Sequence, residues 1–218
     1  HGRKRFMKTT NYKYEIFMGG NRAKGKYNNN ILYAALNRNF MKCVLDCLKL
    51  TGKKEVLEIG CGEGQIMGIM YANGYHVSGI DIAEEAVQIT KSNFESIGIM
   101  DINVNVGSIY DRYTCQQGRM ILCCEVLEHL EEPEAALKNI LNATDEYLLV
   151  SVPREPIWCM LNMVRGKYWK HWGNTPGHIN HWSKRKFMNL CRKYGTIEKV
   201  MSPLPWTMVL IRKTKENL

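Results

Sequence analysis

The sequence predicts an α/β fold built on a doubly wound, seven-stranded, mostly parallel Rossmann-like sheet. Strand-like and helix-like segments alternate from residue 53 to residue 152, which is typical of parallel strands covered by helices on both faces. A glycine-rich turn follows the first of these strands. The last two strand-like segments are joined by a short proline-containing connection, which favours an antiparallel C-terminal hairpin at the sheet edge.

The elements follow in order along the chain. A helix is predicted at 31–50, because apolar residues recur there with helical spacing and Gly52 follows them. The final helix, 184–194, begins after the cap-like Ser183 and precedes the hairpin strands at 197–201 and 207–212. The parallel strands are expected at 55–59, 76–80, 102–106, 120–124 and 147–152, with helices between them at 65–72, 83–94 and 134–141.

The segment at about 154–183, inserted before the final helix, is interpreted as an ordered lid. Four of the five tryptophans lie between Trp158 and Trp182 and are interleaved with basic residues. Glycines and a proline interrupt the segment and prevent one regular helix across it. We therefore divide the chain into a basic N-terminal segment and helix, residues 1–52, and a single domain, residues 53–218, that contains the lid.

The composition is that of a folded protein. The chain has 218 residues, 45% of them apolar, and no apolar stretch approaches the ~18 residues of a membrane span. The eight cysteines form no C-x-x-C pair, which favours reduced thiols in a cytoplasmic protein. The net charge of +9 is uneven: residues 1–26 carry +7, residues 27–150 carry −8 and residues 151–218 carry +10. The two basic segments are expected to attract an anionic substrate, nucleic acid or lipid headgroups.

The most specific motif is the glycine-rich turn V-L-E-I-G-C-G-E-G-Q at 56–65. Its glycines, Gly60, Gly62 and Gly64, allow a sharp bend and the close approach of a ligand. The third glycine comes one position too early for a dinucleotide fingerprint, so pyrophosphate binding is disfavoured. Asp81 ends the next strand, where its carboxylate can accept hydrogen bonds from both hydroxyls of a ribose.

With Glu58 two residues before the first glycine, residues 53–152 resemble the cofactor site of the class I S-adenosylmethionine-dependent methyltransferases. The resemblance implies that Glu58 orients the methionine ammonium, Asp81 binds the ribose and Ile82 packs on the adenine. Ser108 stands where many members have an aspartate, so adenine recognition is expected to use backbone groups there. Arg38 would pair with the methionine carboxylate, or equally remain an exposed helix residue. The other cofactor-binding residues that the resemblance implies are Gly60, Cys61, Gly62, Gly64, Ile109 and Cys124.

The segment E-V-L-E-H at 125–129 follows the fourth strand. If it is helical, Glu125 lies on the same side of a turn as Glu128 and His129. Two carboxylates and an imidazole so placed can coordinate a divalent cation when a further ligand comes from elsewhere. The lid offers His178 and His181, of which we favour His181 because it lies next to the start of the final helix.

This segment also resembles the ubiquinone-biosynthesis O-methyltransferase branch of the family (methyltransferase type 11/12) and the small-RNA 3′-terminal 2′-O-methyltransferases. The resemblance implies a divalent metal, Mg, Mn or Zn, held by Glu125, Glu128, His129 and His181 beside the acceptor hydroxyl. In many relatives the same segment contacts the cofactor with no metal at all. Without a metal, a catalytic histidine among His129, His178 and His181 would take the hydroxyl proton. Arg154, after the fifth strand, would bind a carboxylate or phosphate of the acceptor, or would pair near Glu155 as a surface residue.

These features predict an S-adenosylmethionine-dependent methyltransferase that methylates a hydroxyl of a small, anionic or aromatic molecule. An RNA-modifying methyltransferase is the second interpretation, in which basic termini contact phosphates and tryptophans stack on bases. A cofactor-binding scaffold without catalysis is the third. Peripheral docking of the basic N-terminus on a membrane is compatible with the first.

Overall fold

The computed structural model describes residues 31–112, 119–164, 166 and 168–214. Its strands are β1 (Glu55–Ile59), β2 (His76–Asp81), β3 (Asn103–Val106), β4 (Arg119–Cys124), β5 (Tyr147–Pro153), β6 (Thr196–Met201) and β7 (Trp206–Arg212). Its helices are α1 (Ile31–Thr51), α2 (Gln65–Ala72), α3 (Glu84–Glu95), α4 (Pro133–Ala143), α5 (Ile157–Val164) and α6 (Lys184–Arg192), with 3₁₀ turns at Leu127–His129 and Trp169–His171. The strands form one seven-stranded sheet in the order β3-β2-β1-β4-β5-β7-β6.

Helices cover both faces of this sheet, because its central strands are apolar on both sides. On one face the core contains Phe40 of α1, Met67 of α2 and Phe94 of α3. On the other face it contains Leu137 of α4 and Phe187 of α6. The strands in the middle of the sheet, β4 and β5, are almost entirely buried between these two layers.

The C-terminal hairpin inserts β7 between β5 and β6, and β7 runs antiparallel to both. In this register Trp206, the first residue of β7, pairs with Pro153, the last residue of β5. The start of β7 therefore lies at the carboxyl ends of the parallel strands. Ligands of open α/β sheets bind at this edge, in the crevice outside the carboxyl ends of the strands.

The predicted fold class is confirmed, including the parallel sheet, the antiparallel hairpin and the insertion before the last helix. The bounds of β1 and α2 are those predicted, whereas α6 ends at Arg192, two residues before the predicted end. The E-V-L-E-H segment at 125–129 is not helical throughout, because only Leu127–His129 forms a 3₁₀ turn. Glu125 has a left-handed backbone with φ of 59°.

Residues 1–30, which hold most of the predicted basic N-terminal segment, and Cys115 lie outside the described residues. The domain boundary at residue 52 stays a prediction. The cysteines of the described part have free thiols. Their reduced state in the cell stays a prediction. Among the helices that the structure describes, none has the length and apolar character to cross a membrane.

Candidate active site

The glycine-rich turn connects β1 to α2 with a left-handed backbone at each of its three glycines. The φ angles are 76° at Gly60, 54° at Gly62 and 78° at Gly64, which L side chains rarely adopt. Gly60 also packs against another element, since a Cβ atom there would overlap the Val126 side chain. At Gly62 a Cβ atom would meet nothing within 4 Å, so this side of the turn is open to a ligand.

Asp81 holds the turn from the end of β2. One carboxylate oxygen accepts a hydrogen bond of 2.8 Å from the Gly62 N–H, and the other accepts one of 2.9 Å from the Ala83 N–H. The Thr90 hydroxyl of α3 donates to the Gly62 carbonyl at 2.7 Å. Each Asp81 oxygen keeps a second lone pair, so the carboxylate can fix the turn and still accept hydrogen bonds from a ligand.

A cavity of about 340 Å³ opens beside this turn. It extends from the glycine-rich turn to Glu125 after β4 and is walled by aromatic side chains of α1, α5 and β7. Its lining residues are Asn37, Phe40, Met41, Glu58, Gly60, Cys61, Gly62, Glu63, Gln65, Ile66, Cys124, Glu125, Trp158 and Trp206. Five of the residues predicted to bind cofactor, Glu58, Gly60, Cys61, Gly62 and Cys124, therefore lie around one cavity.

Glu58 lies at the bottom of this cavity and is only 1% exposed. Its Oε2 has no hydrogen-bond partner among the residues that the structure describes. Burial raises the pKa of the Glu58 carboxyl well above its ordinary value, the Met67 backbone hydrogen bond opposes that shift, and Asp81 adds to it. A cationic group bound nearby would supply the missing partner and restore the ionised carboxylate. The residues present therefore fit an ammonium group.

The predicted adenine end lies beyond Asp81, outside the lining of the cavity. Ile82 is 76% exposed, so its side chain is available to a flat ring. Ile109 is buried. The Ser108 N–H donates a hydrogen bond of 2.6 Å to Asp111, so this backbone donor is already engaged. Arg38 is exposed and does not line the cavity, whereas its neighbour Asn37 does.

Glu125 lies on the side of the cavity away from the glycine-rich turn, at the left-handed position after β4. Its backbone N–H donates to the Ser151 carbonyl at 3.1 Å. Its carboxylate accepts hydrogen bonds from the Ser151 hydroxyl at 3.0 Å and from Trp206 Nε1 at 2.6 Å. Burial raises the pKa of Glu125 to about 8, and the two hydrogen bonds limit that rise. Burial therefore favours the neutral form of this carboxyl more than it would be favoured in water.

Glu128, His129 and His178 form a polar cluster next to Glu125. Each offers one ligand atom, and these atoms lie within 4.8 Å of one another. Within the described part of the chain, both carboxylate oxygens of Glu128 are buried without a hydrogen-bond partner. Burial is the main cause that raises the pKa of Glu128, and the nearby Glu125 adds to it. Burial, together with His129 and His181, lowers the pKa of His178 to about 4, so the imidazole is neutral at pH 7.

The lid brings His178 into this cluster in place of the favoured His181. The Gly177 carbonyl lies 2.9 Å from His129 Nδ1, and the His129 and His178 rings meet edge to face with centroids 4.8 Å apart. His181 Nδ1 instead lies 3.5 Å from a carboxylate oxygen of Glu155, and its side chain is 44% exposed. The metal-binding set therefore stays a prediction, with His178 better placed than His181.

Arg154 lies where β5 meets the lid. Its backbone N–H donates to the Pro205 carbonyl at 2.9 Å, and the residue forms an isolated parallel bridge with Trp182. The Nε atom of Arg154 and the Nε1 atom of Trp182 are both buried without a partner. This Nε therefore lacks a partner among the described residues, and Arg154 does not belong to the lining of the cavity.

An aromatic wall, made of Phe40, Trp158, His178 and Trp206, joins the cavity to the polar cluster. Trp206 lies 5.0 Å from Phe40 and 5.9 Å from Trp158, and Trp158 stacks on His178 at 5.8 Å between ring centroids. Trp158 Nε1 donates to the Thr175 hydroxyl at 2.9 Å, which fixes the indole in the lid. The wall gives an acceptor a flat apolar surface beside the polar groups.

The sequence analysis did not place Asn37, Phe40, Trp158 or Trp206 in the site. The position of Trp206 could have been predicted, because a strand that pairs antiparallel with β5 begins beside the carboxyl end of β5. For Phe40 the helical pattern indicates only a core position. The position of Trp158 depends on the path of the lid, which no periodicity predicts.

Comparison with known proteins gives one family and a consistent set of structural neighbours. A family model described as "Methyltransferase domain" matches residues 29–196. A ubiquinone biosynthesis O-methyltransferase of Xanthomonas euvesicatoria pv. vesicatoria is 30% identical over 139 residues, which cover 62% of this chain and 57% of that protein. One from Azoarcus sp. is 33% identical over 89 residues, covering 40% and 38%. The matches thus cover 57% and 38% of the length of these two relatives.

Among solved structures, magnesium protoporphyrin IX methyltransferase from Synechocystis PCC 6803 with bound SAH is similar with a TM-score of 0.67. The two chains are 16% identical, and the match covers 88% of this chain and 92% of that one. The methyltransferase domain of bacterial CtHen1 has a TM-score of 0.61 at 19% identity, covering 81% and 99%. At these identities the likeness concerns the fold.

Proposed function

Because the chain belongs to the class I S-adenosylmethionine-dependent methyltransferase family, we propose that it methylates a hydroxyl oxygen of a small-molecule acceptor. The single observation that carries the proposal is the continuous cavity from the glycine-rich turn to Glu125, Trp158 and Trp206. Donor and acceptor can be held against each other there, and orientation accounts for much of the catalysis that such a transfer requires. We also propose the cytoplasmic location that the cysteine pattern of the sequence predicts.

The cofactor roles are proposed for the residues around the turn. Glu58 would accept the methionine ammonium, directly or through water, because its buried Oε2 lacks a partner. Gly62 would let the cofactor approach the backbone, and Asp81 would accept the ribose hydroxyls. Ile82 would cover one face of the adenine. The bound cofactor supplies an electrophilic methyl group on a sulfonium.

The acceptor is proposed to be aromatic and to carry an anionic group. Trp158 and Trp206 provide flat apolar surfaces on the side of the cavity away from the glycine-rich turn, and aromatic side chains favour stacked or edge-to-face contacts with a ring. The buried Nε donor of Arg154 lacks a partner, and a guanidinium suits a carboxylate or phosphate.

Methylation of a hydroxyl forms an oxygen–carbon bond, breaks the sulfur–carbon bond and releases the hydroxyl proton. The proton acceptor must hold a free lone pair at neutral pH. His178 meets this requirement, because its lowered pKa of about 4 keeps the imidazole neutral, although the same low pKa makes it a weak base on its own. Glu128 lies beside it and burial raises the pKa of its carboxyl, so we propose that Glu128 ionises and pairs with the imidazolium as His178 takes the proton.

A divalent metal fits the same polar cluster. Glu128 offers two unpartnered buried oxygens, and His129 and His178 offer imidazole nitrogens. Imidazole favours Zn²⁺ and carboxylate favours Mn²⁺ or Mg²⁺, so a mixed set suits Zn²⁺ or Mn²⁺ better than Mg²⁺. A bound ion would lower the pKa of the acceptor hydroxyl. We propose His178, in place of the predicted His181, as the ligand from the lid.

RNA is the second candidate acceptor, supported by the basic surface of α6. Lys184, Arg185 and Arg192 line one side of this helix and are exposed. The helix begins just after Trp182, which is bridged to Arg154 at the end of β5. A phosphate backbone could therefore follow the helix away from the site.

The test begins with the purified full chain titrated with S-adenosylhomocysteine in a calorimeter. Release of this product is then measured with phenols, phenolic carboxylates, glycosides and short RNAs as acceptors, in chelator and with Zn²⁺, Mn²⁺ or Mg²⁺ added back. We expect cofactor binding, and turnover with at least one aromatic carboxylate. Turnover with RNA alone would favour the second candidate, and cofactor binding without turnover would leave a non-catalytic scaffold.

The two lid histidines form a matched pair for the metal proposal. His178→Ala should reduce turnover roughly 100-fold or more, in line with loss of a metal ligand or a general base, whereas His181→Ala should change it little. Both variants should bind S-adenosylhomocysteine as the wild type does. Full activity of the wild type in a strong chelator would show that turnover needs no metal. A larger loss of turnover in His181→Ala than in His178→Ala would contradict the choice of His178.

A further inference from the structure

The cavity beside the glycine-rich turn is acidic, although the chain as a whole is basic. The chain carries a net charge of +9. The described residues that line the cavity nevertheless include three glutamates, Glu58, Glu63 and Glu125, and no lysine, arginine or histidine. Carboxyl groups gathered around one cavity favour a cation there and disfavour an anion. The lining therefore indicates a positively charged ligand.

Glu58 suits one kind of positive group. It lies at the bottom of the cavity, and its Oε2 has no hydrogen-bond partner among the described residues. An ammonium group donates hydrogen bonds and can satisfy this oxygen. A positive group without an N–H or O–H, such as a sulfonium, gains little from a hydrogen-bond acceptor. Such a group needs another kind of contact.

Three aromatic rings of the wall line the same cavity. They are Phe40 of α1, Trp158 of α5 and Trp206 of β7, which we call the ring cage. Trp206 lies between the other two, with interplanar angles of 66° to Phe40 and 55° to Trp158. Because neighbouring rings are inclined to each other, a small group beside Trp206 can contact more than one of them.

Both indole N–H groups of the ring cage are already engaged. Trp206 Nε1 donates to Glu125 Oε2 at 2.6 Å, and Trp158 Nε1 donates to the Thr175 hydroxyl at 2.9 Å. These bonds hold the two indoles in place and commit their donors to protein groups. The ring cage therefore meets a ligand through its aromatic rings. Such rings attract cations, and they are the usual protein surface for cations that cannot donate hydrogen bonds.

We propose that the ring cage binds the cofactor sulfonium by cation–π contact and so distinguishes the charged methyl donor from its neutral product. This inference rests on the proposed function. With the ammonium at Glu58, a short carbon chain leads to the sulfonium, so one molecule can reach both the acidic bottom of the cavity and the ring cage. Methyl transfer to the acceptor oxygen leaves a neutral thioether. The ring cage then holds the product more weakly than the donor, which favours product release.

The experiment measures the affinity of the purified full chain for three ligands by calorimetry, without an acceptor. S-adenosylmethionine carries the sulfonium, and S-adenosylhomocysteine has a neutral thioether in its place. Sinefungin carries a positive ammonium at that position and has no methylated sulfur. We expect the two charged ligands to bind roughly tenfold or more tightly than S-adenosylhomocysteine. Phe40→Leu should remove most of this preference and leave the affinity for S-adenosylhomocysteine within about threefold of the wild type.

Phe94→Leu is the matched control. Phe94 is also a buried phenylalanine of a helix in the same core, it contacts Tyr71 edge to face at 5.8 Å, and it lies outside the cavity lining. This variant should keep the wild-type preference. Trp158→Leu should lose the preference as Phe40→Leu does, so a folding defect of one variant does not decide the outcome. The affinity for S-adenosylhomocysteine shows in each variant whether the site is folded.

The possible failures are distinguishable. Equal affinity of the wild type for charged and neutral ligands would overturn the ring cage and leave the proposed function in place. A preference for S-adenosylmethionine that sinefungin does not share would assign the preference to the methyl group and contradict the role of charge. A preference that survives in both ring-cage variants, or that falls equally in Phe94→Leu, would also contradict the proposal. Binding of none of the three ligands would overturn the proposed function together with the ring cage.

Discussion

Trp206 Nε1 donates a hydrogen bond of 2.6 Å to Glu125 Oε2 across 81 positions of sequence. Trp206 is the first residue of β7, and Glu125 follows β4 with a left-handed backbone. The contact ties the C-terminal hairpin to the candidate site and holds the carboxyl group at the cavity wall. The indole therefore both lines the cavity and supports Glu125.

Replacing Trp206 with Phe should remove this hydrogen bond and keep most of the aromatic contact. We expect a loss of about 1 kcal/mol in the free energy of unfolding, the ordinary net value of a buried hydrogen bond, and lower turnover. Trp182→Phe is the control, because Trp182 Nε1 has no hydrogen-bond partner to lose. Urea unfolding of both variants checks the prediction. Equal losses of unfolding free energy in the two variants would show that only the size of the ring matters.

Gly62→Ala should reduce cofactor affinity at least tenfold while the protein still folds. Its φ of 54° costs an alanine about 1 kcal/mol, and the added methyl group would enter the space proposed for the cofactor. Gly74→Ala is matched, since Gly74 has φ of 81°, meets nothing within 4 Å and lies outside the cavity lining. Calorimetry with S-adenosylhomocysteine should show weaker binding by Gly62→Ala than by Gly74→Ala, although the two variants have similar stability. Unchanged affinity in Gly62→Ala would place the cofactor elsewhere.

Asp81→Asn should also weaken cofactor binding, by roughly tenfold or more, because an amide has one acceptor oxygen where the carboxylate has two. One of the bonds from the Gly62 and Ala83 N–H groups would be lost, together with a ribose contact. Asp145→Asn, which alters an exposed pair with Lys53, is the control and should bind like the wild type. The measurement is again the dissociation constant for S-adenosylhomocysteine.

His178 should make stability depend on pH between about 6.5 and 4. Burial, His129 and His181 lower its pKa to about 4 in the folded state, whereas an unfolded histidine titrates near 6.5. Because the unfolded chain binds the proton first, the stabilisation is complete above pH 6.5 and is lost as the pH falls towards 4. The loss would reach about 3 kcal/mol by linkage.

The check is denaturant unfolding in chelator at pH 7, 5.5 and 4.5. The unfolding free energy of His178→Gln should rise relative to that of the wild type as the pH falls from 6.5 to 4.5. The buried carboxyls of Glu58, Glu125 and Glu128, whose pKa values are raised, contribute with the opposite sign in both proteins. His76→Gln, which changes an exposed histidine, should leave the slope unchanged. A wild-type slope that survives in His178→Gln would assign the proton uptake to other groups.

The sequence predicts most of the fold, because the relevant signals are local. The bounds of β1 and α2 follow from an apolar run that ends in glycines. The antiparallel hairpin follows from the short connection between β6 and β7. Both depend on residues that are neighbours in the chain, where periodicity and backbone preferences apply.

The site is less predictable, because distant contacts decide its geometry. A helical turn through Glu125 was plausible from spacing, but Ser151 and Trp206 hold that residue in a left-handed conformation from β5 and β7. The choice between His178 and His181 likewise depends on the path of the lid from Thr175 to Asn180, which hydrogen bonds to Trp158 and Glu128 determine. No pattern within the segment carries that information.

The position of β7 also bears on how the protein is made. Trp206 follows Gly60 by 146 residues, and β7 must enter between β5 and β6 although β6 is synthesised first. A nascent chain that has folded its first five strands on the ribosome therefore still lacks one wall of the cavity. Competence to bind ligand should arise only after synthesis of the hairpin, in a late step governed by long-range strand pairing.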